Sequence, residues 1–540
     1  MYRCEIKGPV GDPVLGSGYD LRVFNAAPQF TDAFTFPDGL IGRDYLFPVP
    51  FNTADRARSP DKITAAGLPP GLKIDPITGK ITGKPTATKV GGYKVTITLA
   101  NKFGKVTSAP GTLIVNDLTQ TIPGAWVGIV DRNPNLGGNL GGRVDLTVTT
   151  KSTFTGKLIL GATTYSFAGP LNVNGTAPTG TVFIKRTGNP LPDPLRLDFE
   201  LDPGNNTITS GTVSDGYTTV NFDGWRQSFS KTVNASTYTG YYTMAVGLSD
   251  DSPLIVDGGT PNVPQGAGYA AFTVALDGKL SMAGKLADGE TFTNATFVGP
   301  NGELAVFQYI YKAVKPGGSI LGQFAIDDKQ DADSLNSNNT VSGFATWVRP
   351  AGKLTDRTFR AGFGIVGAPI NTPVEVVASG GRYNAPSGTL VLDIPEPLVP
   401  VYNTTVDFFN GGDLGYAYTA AETDLVSMDP DRDFALIKGG KFTIFKEDVP
   451  ANVTKTAVSA VAKTGLVSGS FTTRDFNPIF PTKPDFVVRS VKFQGIIIRE
   501  EGQLIGVGYF LLPQLPNPAA GTTDKTSPIY SGRFILKELP

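Results

Sequence analysis

The sequence predicts an all-β, multidomain chain, and three observations predict it. The 540 residues suffice for three to five domains, and 40% of them are hydrophobic, enough for real cores. Its 65 glycines and 42 prolines, about a fifth of the chain, punctuate short runs rich in Phe, Tyr, Thr and Val. Within those runs apolar and polar residues alternate with the period of two that a half-buried strand requires.

Composition narrows the chemistry. Charged residues make up 18%, below the roughly 25% of ordinary domains. The net charge is −1 with no long run of one sign, which argues against a nucleic-acid partner. No apolar stretch approaches the ~18 residues of a membrane span, and no basic segment followed by an apolar run opens the chain. There is no histidine, which removes the commonest general base and zinc ligand. The single cysteine, Cys4, removes zinc ribbons and internal disulfides. The expectation is therefore a protein that is not an enzyme and carries no cofactor beyond a hard cation.

The elements follow in order. Gly67-Leu-Pro-Pro-Gly71-Leu72 is a turn cluster. Two short strands flank Thr78-Gly79. Tyr93–Ala100 then places Val95, Ile97 and Leu99 on one face, and Thr112–Asp117 closes the unit. The GLPPGL turn, the following TG-x-I-x-G-x-P turn and the Y-x-V strand resemble the bacterial Ig-like repeat of the GLPPGL type. The resemblance implies an Ig-like sandwich over residues 27–118, used as a spacer or adhesive unit on secreted and surface proteins.

The opening Tyr2-Arg3-Cys4 is similar to strand F of an Ig domain, where a tyrosine stands two residues before the second cysteine. Tyr19, Leu21 and Val23 then alternate as a strand G would. Residues 1–26 are expected to be the last strands of a preceding Ig-like domain, in a chain that is the C-terminal part of a longer protein. A neighbouring subunit could complete that sheet by strand addition.

From residue 122 the pattern changes. Ala125–Val130 leads to a strand with Val144, Leu146 and Val148 on one face, then to Phe154–Leu158 and Tyr165–Gly169 as a pair. Leu195, Leu197, Phe199 and Leu201 alternate with Arg196, Asp198, Glu200 and Asp202. The same order returns: Tyr238–Met244 mirrors Ala125–Val130, Met282–Leu286 mirrors Phe154–Leu158, and 339–347 mirrors 206–213. A weaker third copy runs through 462–471 and 491–513, with a hairpin at Glu501-Gly502. Glycines inside these strands suggest bulges and bends, which barrels need. Three units, 122–232, 237–395 and 401–540, are expected to be antiparallel β-barrels or coiled sandwiches. Phrases such as VPQGAGYAAFTV and GYFLLPQLP in this region resemble the C-terminal part of large Ig-repeat surface proteins of Verrucomicrobia-type bacteria. That resemblance implies a location and an architecture, not a mechanism.

Candidate site residues are few. Asp327, Asp331 and Asp333 in one loop, and Asp429, Asp431 and Asp433 in another, offer the oxygen ligands that structural calcium takes. Neither loop has the glycine and glutamate of an EF-hand, and both read as solvated polar loops ahead of calcium sites. Asp198, Glu200 and Asp202 approach glycosidase carboxyl spacing, but one strand face paired with Arg196 reads as solvated. Trp126 and Trp347 lie in alternating apolar strands and are read as core, as is the stripe Phe307, Tyr309 and Tyr311. Trp225 follows a turn and is the candidate for an exposed platform on which a sugar ring could stack. Six Asn-x-Ser/Thr sites follow from the threonine-rich composition.

The functional expectation is an extracellular structural or adhesive protein of a bacterial cell surface, with rigid β modules in series. Its partners would be further copies of itself or neighbouring surface proteins. A carbohydrate-binding module, with glycans as partners, is the alternative.

Overall fold

The computed structural model describes residues 26–539, except 54–57, 120, 189–191, 257–258, 329–338, 413–429, 439, 450–451, 480–485 and 501. Cys4 and the expected strands of residues 1–25 lie outside the described residues. Among the described residues the chain is nearly all β, with a 3-10 turn at Gly137–Asn139. It divides into two compact units. One takes in the N-terminal strands with Thr150–Ser152 and Pro170–Thr176; the other takes in the rest.

Among the described residues the first unit has nine strands: β1 (Gly39–Leu40), β2 (Tyr45–Pro48), β3 (Lys62–Ala66), β4 (Leu72–Ile74), β5 (Lys80–Gly83), β6 (Tyr93–Asn101), β7 (Gly104–Thr107), β8 (Gly111–Leu113) and β9 (Val115–Asn116). Two small sheets form, β2-β5-β4 and β3-β6-β7 with β8 on β6, while β1 pairs with β9 in parallel. Val95, Ile97 and Leu99 of β6 are fully buried, as their alternation predicts. They pack with Ile63, Ile81 and Leu113, and the rings of Phe30, Phe34, Phe36 and Phe47 lie along the same core. The GLPPGL turn joins β3 to β4. Gly71 has φ +91°, and a Cβ there would lie 2.0 Å from the Lys84 carbonyl oxygen, so the turn requires glycine.

The second unit contains three eight-stranded meanders. The first copy is β10 (Gly124–Val130), β11 (Gly142–Val148), β12 (Thr153–Leu160), β13 (Thr163–Pro170), β14 (Thr179–Ile184), β15 (Leu195–Asp202), β16 (Thr207–Ser214) and β17 (Thr219–Arg226). The second is β18 (Gly240–Gly247), β19 (Gly268–Val274), β20 (Lys279–Lys285), β21 (Thr291–Phe297), β22 (Glu303–Ile310), β23 (Gly318–Asp327), β24 (Thr340–Val348) and β25 (Val374–Arg382). The third is β26 (Thr404–Phe409), β27 (Arg432–Ile437), β28 (Lys441–Thr443), β29 (Ala457–Val461), β30 (Leu466–Phe476), β31 (Phe486–Glu500), β32 (Gln503–Pro513) and β33 (Ile529–Glu538).

All three copies share one topology. Each runs up and down, and its first strand pairs with its eighth: β10 with β17, β18 with β25, β26 with β33. They differ at the seam between the fourth and fifth strands. The third copy closes it with backbone pairs between β29 and β30 and becomes a barrel. In the second copy, side chains bridge the seam: Asn294 of β21 donates to the Ala305 carbonyl of β22 at 2.8 Å, and the Thr293 amide donates to the Gln308 side chain. Among the described residues the first copy has no backbone ladder there. The mirrored segments of the sequence fall at equivalent positions: Ala125–Val130 and 238–244 lead the first strands, and 206–213 and 339–347 form the seventh.

Ring-on-glycine packing fills the interiors. In the barrel Phe408, Phe471, Phe493, Phe510 and Phe534 interlock with centroids 4.6–6.4 Å apart. A Cβ on Gly469 would sit 2.0 Å from the Phe493 ring, and one on Gly532 would sit 2.2 Å from Phe510. These strand glycines are seats for rings rather than bends. A register shift does occur between Ile208 and Gly211.

Candidate functional site

The functional features of the second unit lie at the joints between copies. At the first joint the outer face of β10, with Ala125, Val127 and Ile129, packs on β22 and β23. Val127 is in register with Trp225 of β17, and both lie against Phe297 and Ala305 of the second copy. Arg132 crosses this joint. Its Nε donates to Thr346 Oγ1 at 2.7 Å, one Nη to the Thr346 carbonyl at 2.7 Å, and the other to Ser319 Oγ and the Asn139 carbonyl at 2.7 and 2.9 Å. Burial pushes the guanidinium pKa down, and neutral oxygens solvate its charge. Arg143 adds a bond of 2.8 Å to the Ala295 carbonyl of β21, a seam strand.

The second joint repeats the arrangement. The outer face of β18 packs on β31, the sixth strand of the barrel, where β10 packs on the fifth and sixth strands, β22 and β23. Ala245 and Ala267 meet Ile496, Ile498, Ile505 and Val507 in an apolar cluster. Thr243 Oγ1 donates to the Ile497 carbonyl at 2.7 Å, and Tyr241 OH to that of Thr464 at 2.9 Å.

The outermost faces are different. On the barrel, the outer face of β26 carries Asp407, paired with Lys537 of β33 at 3.1 Å. On the first copy, the outer face of β15 carries Arg196, Asp198, Glu200 and Asp202. Arg196 grips Asp198 with two bonds, 2.8 and 3.0 Å long. Asp202 accepts from the Gly204 and Asn205 amides and the Asn205 side chain, which hold its carboxyl below the usual range, the Asn205 side chain most of all. These acids stand on one solvated face, as the strand pattern implied.

Trp225 requires a correction. It is 4% exposed, and its indole N–H has no hydrogen-bond partner among the described residues. The turn before it did not leave it open, because the second copy docks over it. The aromatic stripe divides as well. Leu304, Val306 and Ile310 face the core of the second copy, whereas Phe307 and Tyr309 are on the opposite side of β22. Tyr311 follows the strand with φ +54° and turns inward. There its hydroxyl accepts from Trp347 Nε1 at 3.1 Å and donates to Asp288 at 2.5 Å, and Asp288 is paired with Arg349. Burial, then the Asp288 charge, pushes the Tyr311 phenol well up. Trp126 is buried, with its N–H on the Ile122 carbonyl at 3.0 Å.

Of the acidic loops, Asp327 ends β23 and is exposed, Asp431 accepts from the Phe408 amide at 2.8 Å, and Asp433 is exposed on β27. Asp331, Asp333 and Asp429 lie outside the described residues. Among the described residues no group of three acids is placed to hold a metal ion.

Two features had no clear sequence signal. Asp131 has its carboxyl pushed up, first by burial and then by the Asp223 charge. A groove of about 820 Å³ runs between the second copy and the barrel. Its residues come from β18, β25, β31–β33, the end of β26, and residues 248–251, 255 and 265–267, segments far apart in the chain, so no local motif marks it.

No helix among the described residues is long and apolar enough to cross a membrane. No curated protein matches the chain. The family model described as a putative Ig domain matches residues 34–116, the span of the small N-terminal sandwich. That part of the chain is an Ig-like domain.

Proposed function

We propose that the chain is a non-enzymatic structural or adhesive protein of a bacterial cell surface, in which rigid β modules carry a binding surface away from the cell. The observation that carries this reading is the repeated joint. Twice, the first strand of one copy packs on strands in the second half of the next with an apolar, hydrogen-bonded contact, β10 on β22 and β23 and β18 on β31. Twice, the terminal face that would continue the series carries charge instead, Asp407 with Lys537 at one end and the Arg196–Asp202 ladder at the other. Repeat arrays end in this way, with polar outer faces on terminal copies. The Ig-like match at residues 34–116 supports a surface or secreted setting. The burial of Trp225 removes the motive for a stacking carbohydrate platform.

The test is antibody labelling of intact source cells, followed by attachment assays after deletion of the chain. Labelling without permeabilisation, with weakened attachment or a disturbed surface layer, is the expected result. Labelling that needs permeabilised cells would overturn the reading.

A further inference from the structure

We infer that the groove between the second copy and the barrel is a docking site for a short peptide segment that alternates basic and aliphatic side chains. Its floor is aliphatic: Ile498, Val507 and Ile535 from the barrel meet Ala245 and Val377 from the second copy. Its rim carries Asp250, Asp251 and Glu500 against one cation, Arg533. Arg533 is already committed to Asp250 at 2.7 Å, so Asp251 and Glu500 leave the rim with an excess of negative charge. Asp250 is 81% exposed, and the rim is open to solvent.

Three observations select the occupant. The groove volume falls in the range of sites that enclose small ligands and short peptide segments. A carboxylate rim above an aliphatic floor complements lysine or arginine heads on alkyl stems, with neighbouring aliphatic residues seated below. A glycan would want flat rings, and among the described lining residues Phe409 alone carries one. The strands beneath, β18, β25 and β31–β33, are each paired on both sides. The segment therefore binds through side chains rather than by adding a strand.

The experiment uses the full chain and a short fluorescent peptide of alternating lysine and valine, followed by anisotropy. Its twin carries glutamate in place of lysine, and a chitosan oligomer serves as competitor. The expected result is saturable binding of the lysine peptide at low salt, with Kd on the order of 10 µM. E500Q with D251N should weaken it at least about tenfold, and salt of about 0.5 M should do the same. S379W, which fills the groove and leaves the rim charges in place, should abolish binding while the far-UV spectrum and Tm stay as in the parent. Absence of saturation with the lysine peptide overturns the proposal. So does equal binding of the glutamate twin, or binding unchanged by both variants. Preferential binding of the chitosan oligomer would overturn the peptide assignment and place an amino sugar there.

Discussion

Arg132 and Thr346 are joined by two hydrogen bonds of 2.7 Å, one to the hydroxyl and one to the carbonyl, and they fasten the first copy to the second. Among the described residues no carboxylate accepts from this guanidinium; Ser319 and the Asn139 carbonyl complete the set of acceptors. A planar fork with five donors suits several fixed oxygens at once, which a lysine cannot match. Arg132→Ala should cost about 2–3 kcal/mol, the scale of hydrogen bonds to a buried charged group. Arg132→Lys should recover only part of that. Denaturant melts give the values, and hydrogen exchange should show faster opening at β10 and β23 than within the barrel.

Trp225 fills the same joint without satisfying its own N–H. Trp225→Ala should cost about 3–5 kcal/mol through the cavity it leaves. Trp225→Phe should cost much less, because it removes an unpaired buried donor along with part of the volume. All three tryptophans are buried, so a collisional quencher should barely touch the native fluorescence. Strong quenching of one tryptophan, lost in Trp225→Phe, would show that the joint is open in solution.

The barrel interior holds a charge pair. Arg489 and Asp475, 3% and 4% exposed, meet at 2.7 Å, with Thr473 and the Pro513 carbonyl taking further donors of Arg489. Removing one partner strands the other charge inside. Asp475→Ala should therefore cost about 3–5 kcal/mol, whereas replacing both with apolar residues of similar volume should be close to neutral. A double-mutant cycle by chemical denaturation separates the two outcomes.

Asp202 gives a dependence on pH. Its hydrogen bonds lower the folded pKa below the ordinary aspartate value, so the folded state binds this proton less readily than the unfolded chain does. Its contribution is present above the unfolded pKa and is lost as the pH falls through the folded one. Asp202→Ala should therefore destabilise the protein at neutral pH, and the difference from the parent should shrink in acid. An NMR titration of the Asp202 carboxyl should place its midpoint below the ordinary value; a midpoint above it would remove the effect.

Much of this fold was legible because strand periodicity is local. Val95, Ile97 and Leu99 are buried as their alternation predicts, and the mirrored segments occupy equivalent strands in two copies. The GLPPGL turn was readable because its glycine is required by backbone geometry. The candidate sites were less legible. Asp327 and Asp433 share a residue type but reach no common site among the described residues, and the groove draws on segments from 245 to 535.

The sequence by itself determined which residues share a strand face, because neighbouring side chains must point to opposite sides of a pleated chain. It placed Leu195, Leu197, Phe199 and Leu201 on one face and Phe307 with Tyr309 on another. Only the tertiary structure decided what covers each face. Trp225 is buried because another copy docks on it, while Asp198 and Asp407 keep their faces charged. A period of two carries no information about a partner that arrives from a hundred residues away, and that arrival is what made the joints and the groove.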